Sequence, residues 1–575
     1  MDGGRVALKS SMMPTRLKIP IWLLWLAPLA FLGLFYAYPL ISILQVSFSR
    51  SEGGLAATIL EAFQSPAVLR VVSFTFWQAT LSTIFTLIVG LPGAYLLARY
   101  KFPGKSLVQA LTGIPFVLPT LVVAAAFNAF LGPKGWLNLL LMESFNLQQP
   151  PIQFINTFGA ILVAHVFYNT TIVLRMVGDY WSHMDPNMSK AAQILGANKW
   201  QTLRHITFPM LKPAILAASV LIFIFDFTSF GAVLILGGPR FATIEVEIYY
   251  QTISLFNLPL AALLSIIQLA CTLALTVLYS RLSSQVSKPA SLRPRQYTQQ
   301  PLRTLRSKIF AGGMVFFLLA FLTLPLLALG FRSFIMAGVG NEWTFSLDYY
   351  RELWINRRSS LFYVPPSTAI RVSLSYAATT VLLAVGLGLP AAWGLAREDK
   401  KPFSRWFDSL LMLPLGTSAV TLGLGFIVAF NTPPFDLRAS PVLIPLAHTL
   451  VAFPFVVRSL TPALSSIRPQ LKLAAAVLGA SPRQVFRYID LPLVSRAILV
   501  AATFAFTISL GEFGATALVS RPEFPTVPVM IYRFLSQPGA LNYGQAMALS
   551  TILMAITTIG MLAIEKFRIA DIGEF

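Results

Sequence analysis

Asp226 and Glu512 are carboxylates inside long apolar runs, where a charge is costly and often functional. Much of the chain repeats at an offset of 283 positions. In that shared frame Asp226 maps onto Ser509 and Glu512 onto Ser229, so the two acids stand three positions apart, about one helical turn. The spacing fits two roles. Asp226, Ser229, Ser509 and Glu512 either line a common translocation path that favours a cation, or make structural hydrogen bonds to neighbouring helices. His165 and His448 are matched by the same offset. A metal site needs several convergent ligands and the chain has 4 histidines, so these two are expected to bond helix to helix. Neither a catalytic nor a metal site is expected.

The elements that must position these residues are membrane spans. The chain has 575 residues, 56% hydrophobic and 11% charged, against roughly 25% charged in soluble domains. Apolar runs fall near 20–48, 70–98, 107–132, 155–180, 210–236 and 258–280, and again near 309–333, 366–396, 406–430, 440–462, 494–519 and 543–565. A span needs about 20 apolar residues, so about twelve spans are expected. The first run follows Arg5, Lys9, Arg16 and Lys18 and is too long for a cleaved signal. Cys271, the single cysteine, lies in an apolar run and reads as a packing residue.

The net charge of +21 does not indicate nucleic acid, because no polar domain exists to host it. With the N-terminus cytoplasmic, 29 of the 43 Lys and Arg fall in segments 1–19, 99–106, 181–212, 281–308, 397–405, 463–496 and 566–575. That is the positive-inside pattern, and it puts both termini in the cytoplasm of a multi-pass bacterial inner-membrane protein. The repeat extends earlier at offsets of 298 to 299, where Leu91-Pro92 matches Leu389-Pro390 and Pro115 matches Pro414. Each half has an even number of spans, so the halves run parallel, related by an axis along the membrane normal. The prolines read as kinks. Residues 136–142 read as a short interfacial helix.

The expected organisation is an N-terminal tail, first span and outer loop over 1–72, and a first core with a cytoplasmic loop over 73–281. A basic linker follows over 282–308, then a seventh span and outer loop over 309–365. A second core over 366–566 and a tail over 567–575 complete it.

One soluble-looking stretch occurs twice, AAQILGANKWQTLRHITFP at 191–209 and AAAVLGASPRQVFRYIDLP at 474–492. Each has helix, break, helix chemistry. Asp185-Pro186 supplies an N-cap and a first-turn proline. Gly196 ends the first helix, and Asn198 with Gln201 restarts one. In the second copy Gly479 ends the helix, and Ser481 with Gln484 forms a capping box.

The pattern Ala-Ala-x-x-x-Gly, nine residues, then Ile-x-x-Pro resembles the coupling loop of permease subunits of binding-protein-dependent ABC importers. The resemblance covers most of both halves. It implies an all-α transmembrane fold with two parallel six-span repeats, the type I importer fold. It implies that Ala191, Ala192, Gly196, Ile206 and Pro209, with Ala474, Ala475, Gly479, Ile489 and Pro492, dock two cytoplasmic ABC ATPase subunits. The family's leading Glu is absent, replaced by Lys190 and Leu473. The chain has no G-x-x-x-x-G-K-[ST] phosphate loop, so it is expected to be a permease rather than an enzyme. It carries no cofactor of its own, and ATP-Mg sits on the partner subunits. A separate binding protein would select the solute, since the longest outer segment is about 334–365. Stretches 227–251 and 509–534 look like the fused permeases of thiamine importers, and ferric-iron permeases share the plan. The alternative from another class is an ion-gradient-driven secondary transporter with two parallel halves, which needs no twinned loop.

Overall fold

The computed structural model describes residues 21–48, 64–286, 298–337, 343–355, 364–397, 402–431, 436–438 and 440–567. The N-terminal tail, the middle of the expected linker (287–297) and the C-terminal tail beyond 567 lie outside the described residues. Among the described residues ten helices are long and apolar enough to cross a membrane, and an eleventh if one pair bent by 107° counts as one span.

In the first half these are α1 (Leu23–Ser47), α2 (Pro66–Arg99), the bent pair α3 (Lys105–Val117) and α4 (Thr120–Leu131), and α6 (Phe158–His183). Between α4 and α6 lies the short α5 (Trp136–Phe145). A short α7 (Pro186–Ile194) precedes α8 (Lys199–Phe227), then α9 (Gly231–Leu236), α10 (Ile244–Tyr249) and α11 (Leu258–Ser283). The second half repeats this with α12 (Leu305–Arg332), α13 (Pro366–Ala396), α14 (Pro402–Leu411), α15 (Ala419–Ala429), α16 (Leu443–Ser465), α17 (Pro469–Val477), α18 (Arg483–Gly511), α19 (Gly514–Val519), α20 (Val527–Leu535) and α21 (Ala540–Ile564).

The expected third and ninth spans are therefore broken, each into two helices. Pro119 caps α4, and Leu413–Gly416 forms a tight turn containing Pro414 before α15. A proline lacks the N–H that would continue the ladder, and irregular backbone at membrane depth persists where protein covers it. Pro92 and Pro390 instead stay inside continuous helices. The fifth and eleventh spans end sooner than the apolar runs, at Phe227 and Gly511. Residues 136–142 do form a helix, and its buried Asn138 donates to the carbonyls of Gly132 (2.9 Å) and Ile152 (2.8 Å).

The centre of each half is its fourth span. α6 and α16 are 72% buried, against 28–50% for the other long helices. They approach α2 and α13 closely through matched glycines. A Cβ on Gly90 would meet Val173 at 2.6 Å, and one on Gly388 would meet Val456 at 2.6 Å. Ser and Thr hydroxyls inside the spans return hydrogen bonds to their own helices, as Thr170 does to Val166 O and Ser265 to Ala261 O. This satisfies polar groups where water is absent.

The leading span of each half crosses to the other half. α1 packs on α13 and α15, with Trp25 stacked on Phe407 at 4.1 Å and the Tyr36 hydroxyl 2.7 Å from Thr417. α12 packs on α3 and α4, and its Phe321 ring lies 6.1 Å from that of Phe167 on α6.

Candidate functional site: twin loops and a polar centre on a two-fold axis

The two loops are built alike. Asp185 caps α7 by accepting from Asn187 N at 2.9 Å. Gly196 has φ +93°, and the helix closes through Gly196 N to Gln193 O (3.0 Å) and Ala197 N to Ala192 O (2.9 Å). That is a Schellman ending, which needs the left-handed conformation glycine supplies. α17 closes identically at Gly479, φ +80°, through Gly479 N to Ala476 O (3.1 Å) and Ala480 N to Ala475 O (3.0 Å). A Cβ at either glycine would touch nothing within 4 Å, so backbone conformation, not space, sets the requirement.

Both restarts are reciprocal capping boxes. Asn198 and Gln201 exchange bonds of 2.8 and 2.9 Å, and Ser481 and Gln484 exchange bonds of 3.3 and 2.7 Å. Each loop then passes through a single π-turn, Leu203–Thr207 or Phe486–Asp490, into α8 or α18. Ala191, Ala474, Pro209 and Pro492 are exposed on this surface, while Ala192, Ala475, Ile206 and Ile489 are half-buried. At the missing leading Glu, Lys190 and Leu473 are exposed. Beside Leu473, Lys472 pairs with Asp490 at 3.0 Å.

Sequence reading passed over the loop tips. Ile194 and Leu195 are 86% and 88% exposed, and their counterparts Val477 and Leu478 are 87% and 86% exposed. Four aliphatic side chains are thus bare at the same place in both copies. The signal was present as an apolar pair immediately before each glycine.

The four path candidates lie elsewhere and are all buried. They form two clusters, one in each half, each built around its histidine. His165 Nδ1 lies 3.0 Å from Ser82 Oγ and 3.4 Å from Asp226 Oδ1, and its Nε2 lies 2.9 Å from Ser229 Oγ. Asn169 also donates to Asp226 at 2.7 Å. His448 Nδ1 lies 2.8 Å from Ser509 Oγ, and its Nε2 lies 2.8 Å from Thr516 Oγ1 and 3.1 Å from Glu512 Oε2. Glu512 accepts from Ala515 N (2.8 Å), Thr516 N (3.1 Å) and Thr516 Oγ1 (2.6 Å), capping α19.

The geometry is the same and the residues are exchanged. The position beside Nδ1 is Asp226 in one half and Ser509 in the other, and the position beside Nε2 is Ser229 or Glu512. Ser82 and Thr380 occupy matched third positions, since Ser509 Oγ donates to Thr380 Oγ1 at 3.2 Å. The histidines thus bond helix to helix in both halves.

A two-fold axis runs between the clusters. Phe230 stacks on its own counterpart Phe513 at 5.3 Å, and Tyr249 meets its counterpart Tyr532 edge-on at 6.5 Å. Phe230 also meets Tyr249 at 5.4 Å, and Phe513 meets Tyr532 at 5.6 Å. Four rings therefore close the seam between the halves. Beside them is a third buried acid that sequence reading did not single out. Glu245, 2% exposed, accepts from Gln268 Nε2 at 2.8 Å and stands beside Ser418 of the other half.

Comparison with known proteins agrees with this architecture. Residues 90–288 and 384–568 each match the family model described as "Binding-protein-dependent transport system inner membrane component". The chain is 27% identical over 514 residues to the thiamine transport system permease protein ThiP of Escherichia coli (strain K12), covering 88% of this chain and 90% of that one. It is 30% identical over 536 residues to the protein of the same name in Brucella abortus (strain 2308), covering 90% and 92%. Among solved structures, a bacterial ABC transporter involved in the import of the acidic polysaccharide alginate matches with 21% identity and a TM-score of 0.37, over 46% of this chain and 96% of that one. The chain belongs to the binding-protein-dependent transport system inner membrane components, and is a fused, two-half, multi-pass permease of the ABC importer class rather than an enzyme.

Proposed function

We propose that this chain forms the translocation path of a thiamine importer. Two ABC ATPase subunits dock on its coupling loops in the cytoplasm, where both termini also lie. A thiamine-loaded binding protein docks on the opposite face. The observation that carries the docking half of this reading is the matched pair of bare aliphatic tips, Ile194-Leu195 and Val477-Leu478, on glycine-closed loops. The permeases named for thiamine transport, similar over about nine-tenths of the chain, support the choice of solute over ferric iron.

Each loop joins its half rigidly. α7 begins two residues after α6 ends, and the restart helix runs through its π-turn into α8. Closure of two ATPase subunits would therefore move α6 and α8 together, and α16 and α18 with them. The aromatic seam on the axis then parts or closes as the halves rock. Residues Asp226, Ser229, Ser509 and Glu512 hold α8 and α18 to the central helices, so that each half moves as one body. Their contribution to the path is to keep its walls aligned.

The test is uptake of radiolabelled thiamine into proteoliposomes holding the chain with its partner ATPase and binding protein. Uptake is expected only with internal ATP-Mg and binding protein present. Uptake driven by an ion gradient without ATP points to the secondary-transporter alternative, and ATP-driven import of another solute excludes thiamine.

A further inference from the structure

Three carboxylates are buried in the centre, and two have evident structural work. Asp226 is held by His165 and Asn169, and Glu512 caps α19 and faces His448. Glu245 differs. Among the described residues no Lys, Arg or His side chain pairs with it; its hydrogen-bond partner is the Gln268 amide, and Ser418 of the other half is its neighbour. A buried acid without a cationic partner is costly to ionise, so the fold needs a reason to keep one.

The opposite half shows that the fold itself does not require it. α10 and α20 start in the same way. Ile244 N donates to Thr75 Oγ1 at 3.0 Å, and Val527 N donates to the matched Ser373 Oγ at 2.8 Å. α10 packs across the seam on α15, and α20 packs across it on α4. At the position matching Glu245 the second half has Pro528, and at the position matching Ser418 the first half has Pro119. One diagonal of the axis is thus polar and the other is two prolines, within matched backbones.

The surroundings of Glu245 are specific. Ser418, next to Glu245, caps α15 by accepting from Val420 N and Thr421 N. The positive end of the α15 dipole favours negative charge that develops on Glu245. Tyr249 stands one turn further along α10 and belongs to the four-ring seam. When the halves part, a carboxylate and aromatic faces are presented together to whatever crosses. Carboxylate plus π-faces is the recognition chemistry of a flat or quaternary organic cation.

We propose that Glu245 is the charge-selecting residue of the path, admitting an organic cation between the Phe230, Tyr249, Phe513 and Tyr532 rings. The assignment of the cation to thiamine, whose thiazolium ring is positively charged, rests on the function proposed above.

The experiment compares import of thiamine with that of its neutral analogue carrying thiophene in place of the thiazolium, in the full importer reconstituted with its ATPase and binding protein. Glu245→Gln is expected to lower thiamine import by about tenfold or more while changing analogue import by less than about twofold. Glu245→Asp is expected to restore most thiamine import. Equal loss of both solutes, no loss of either, or a Glu245→Gln chain that fails to insert overturns the assignment.

A second arm needs no knowledge of the cargo. The Phe230→Ala/Phe513→Ala chain is reconstituted alone, and leakage of choline and gluconate is measured. A leak favouring choline, with the preference lost on adding Glu245→Gln, supports the assignment even if the wild type imports no thiamine, a result that removes only the solute reading. A leak indifferent to residue 245, or no leak, overturns it.

Discussion

The coupling loops and the buried polar centre are both duplicated, but they have kept different things. In the loops the residue logic itself is conserved between copies. Gly196 and Gly479 take the same left-handed conformation, the same Schellman pair closes each helix, and the same capping box restarts it. In the centre the histidines and the seam rings are kept but the acids are not. Asp226 and Ser229 become Ser509 and Glu512 around matched histidines, and Glu245 becomes Pro528. The difference teaches where symmetry is demanded. On the proposed function, two equivalent motor subunits require two equivalent sockets, whereas one asymmetric solute crossing the axis meets one wall at a time.

The largest test of this contrast is on the tips. Leu195→Asp with Leu478→Asp is expected to abolish ATPase co-purification and reduce transport by more than about a hundredfold, since desolvated anchors contribute about 2 kcal/mol or more each. Each single variant should lose about tenfold or more. One single variant as severe as the double, with the other silent, would break the equivalence of the sockets.

The next effect concerns the histidines, which should not be equivalent. Glu512 keeps three hydrogen bonds to α19 without His448, while Asp226 keeps Asn169 and leaves Oδ2 with no hydrogen bond. His165→Ala is therefore expected to destabilise the detergent-solubilised chain by about 2–3 kcal/mol, and His448→Ala by about 1 kcal/mol. Thermal unfolding followed by size exclusion measures this, and the reverse order would contradict the geometry. A sharper form exchanges the residues. Asp226→Ser with Ser229→Glu copies the second half onto the first and should recover much of the loss caused by Asp226→Ser alone.

The glycine variants follow. Gly196→Ala and Gly479→Ala meet no side chain, so each should cost only the left-handed strain of about 1–2 kcal/mol. Transport should fall several-fold in each and multiply in the double. The smallest effect is expected from Ser481→Ala, which removes a 3.3 Å cap at an exposed site for about 0.5–1 kcal/mol.

The loops were legible because their determinants are local. Asn198, Gln201, Gly196 and Pro186 act within a few residues, so caps and breaks could be placed from spacing alone. The duplicate confirmed each one. The positions of apolar helices were legible for the same reason. The breaks near Pro119, Pro414 and Phe227 were not, because the runs stay apolar through them and only packing decides whether a helix continues. Nor did composition say which neighbour a greasy helix would choose, so the crossing of α1 and α12 was invisible. Glu245 was missed because its neighbours, Gln268 and Ser418, are far along the chain and its counterpart is Pro528. The cation role was sought in Asp226 and Glu512, where an acid recurs within one turn.

The exchange of leading helices has a consequence for biogenesis. α1 emerges from the ribosome first, yet its ring partner Phe407 is 382 residues away along the chain. At about 5–20 residues per second that is roughly 20–80 s of waiting in the bilayer. The packing of α1 on α11 can form within the first half, but its places against α13 and α15 stay empty until those helices are synthesised. Joining the halves in one polypeptide keeps that helix tethered near its destination, turning what would be an encounter between two separately inserted molecules into the closing of a loop.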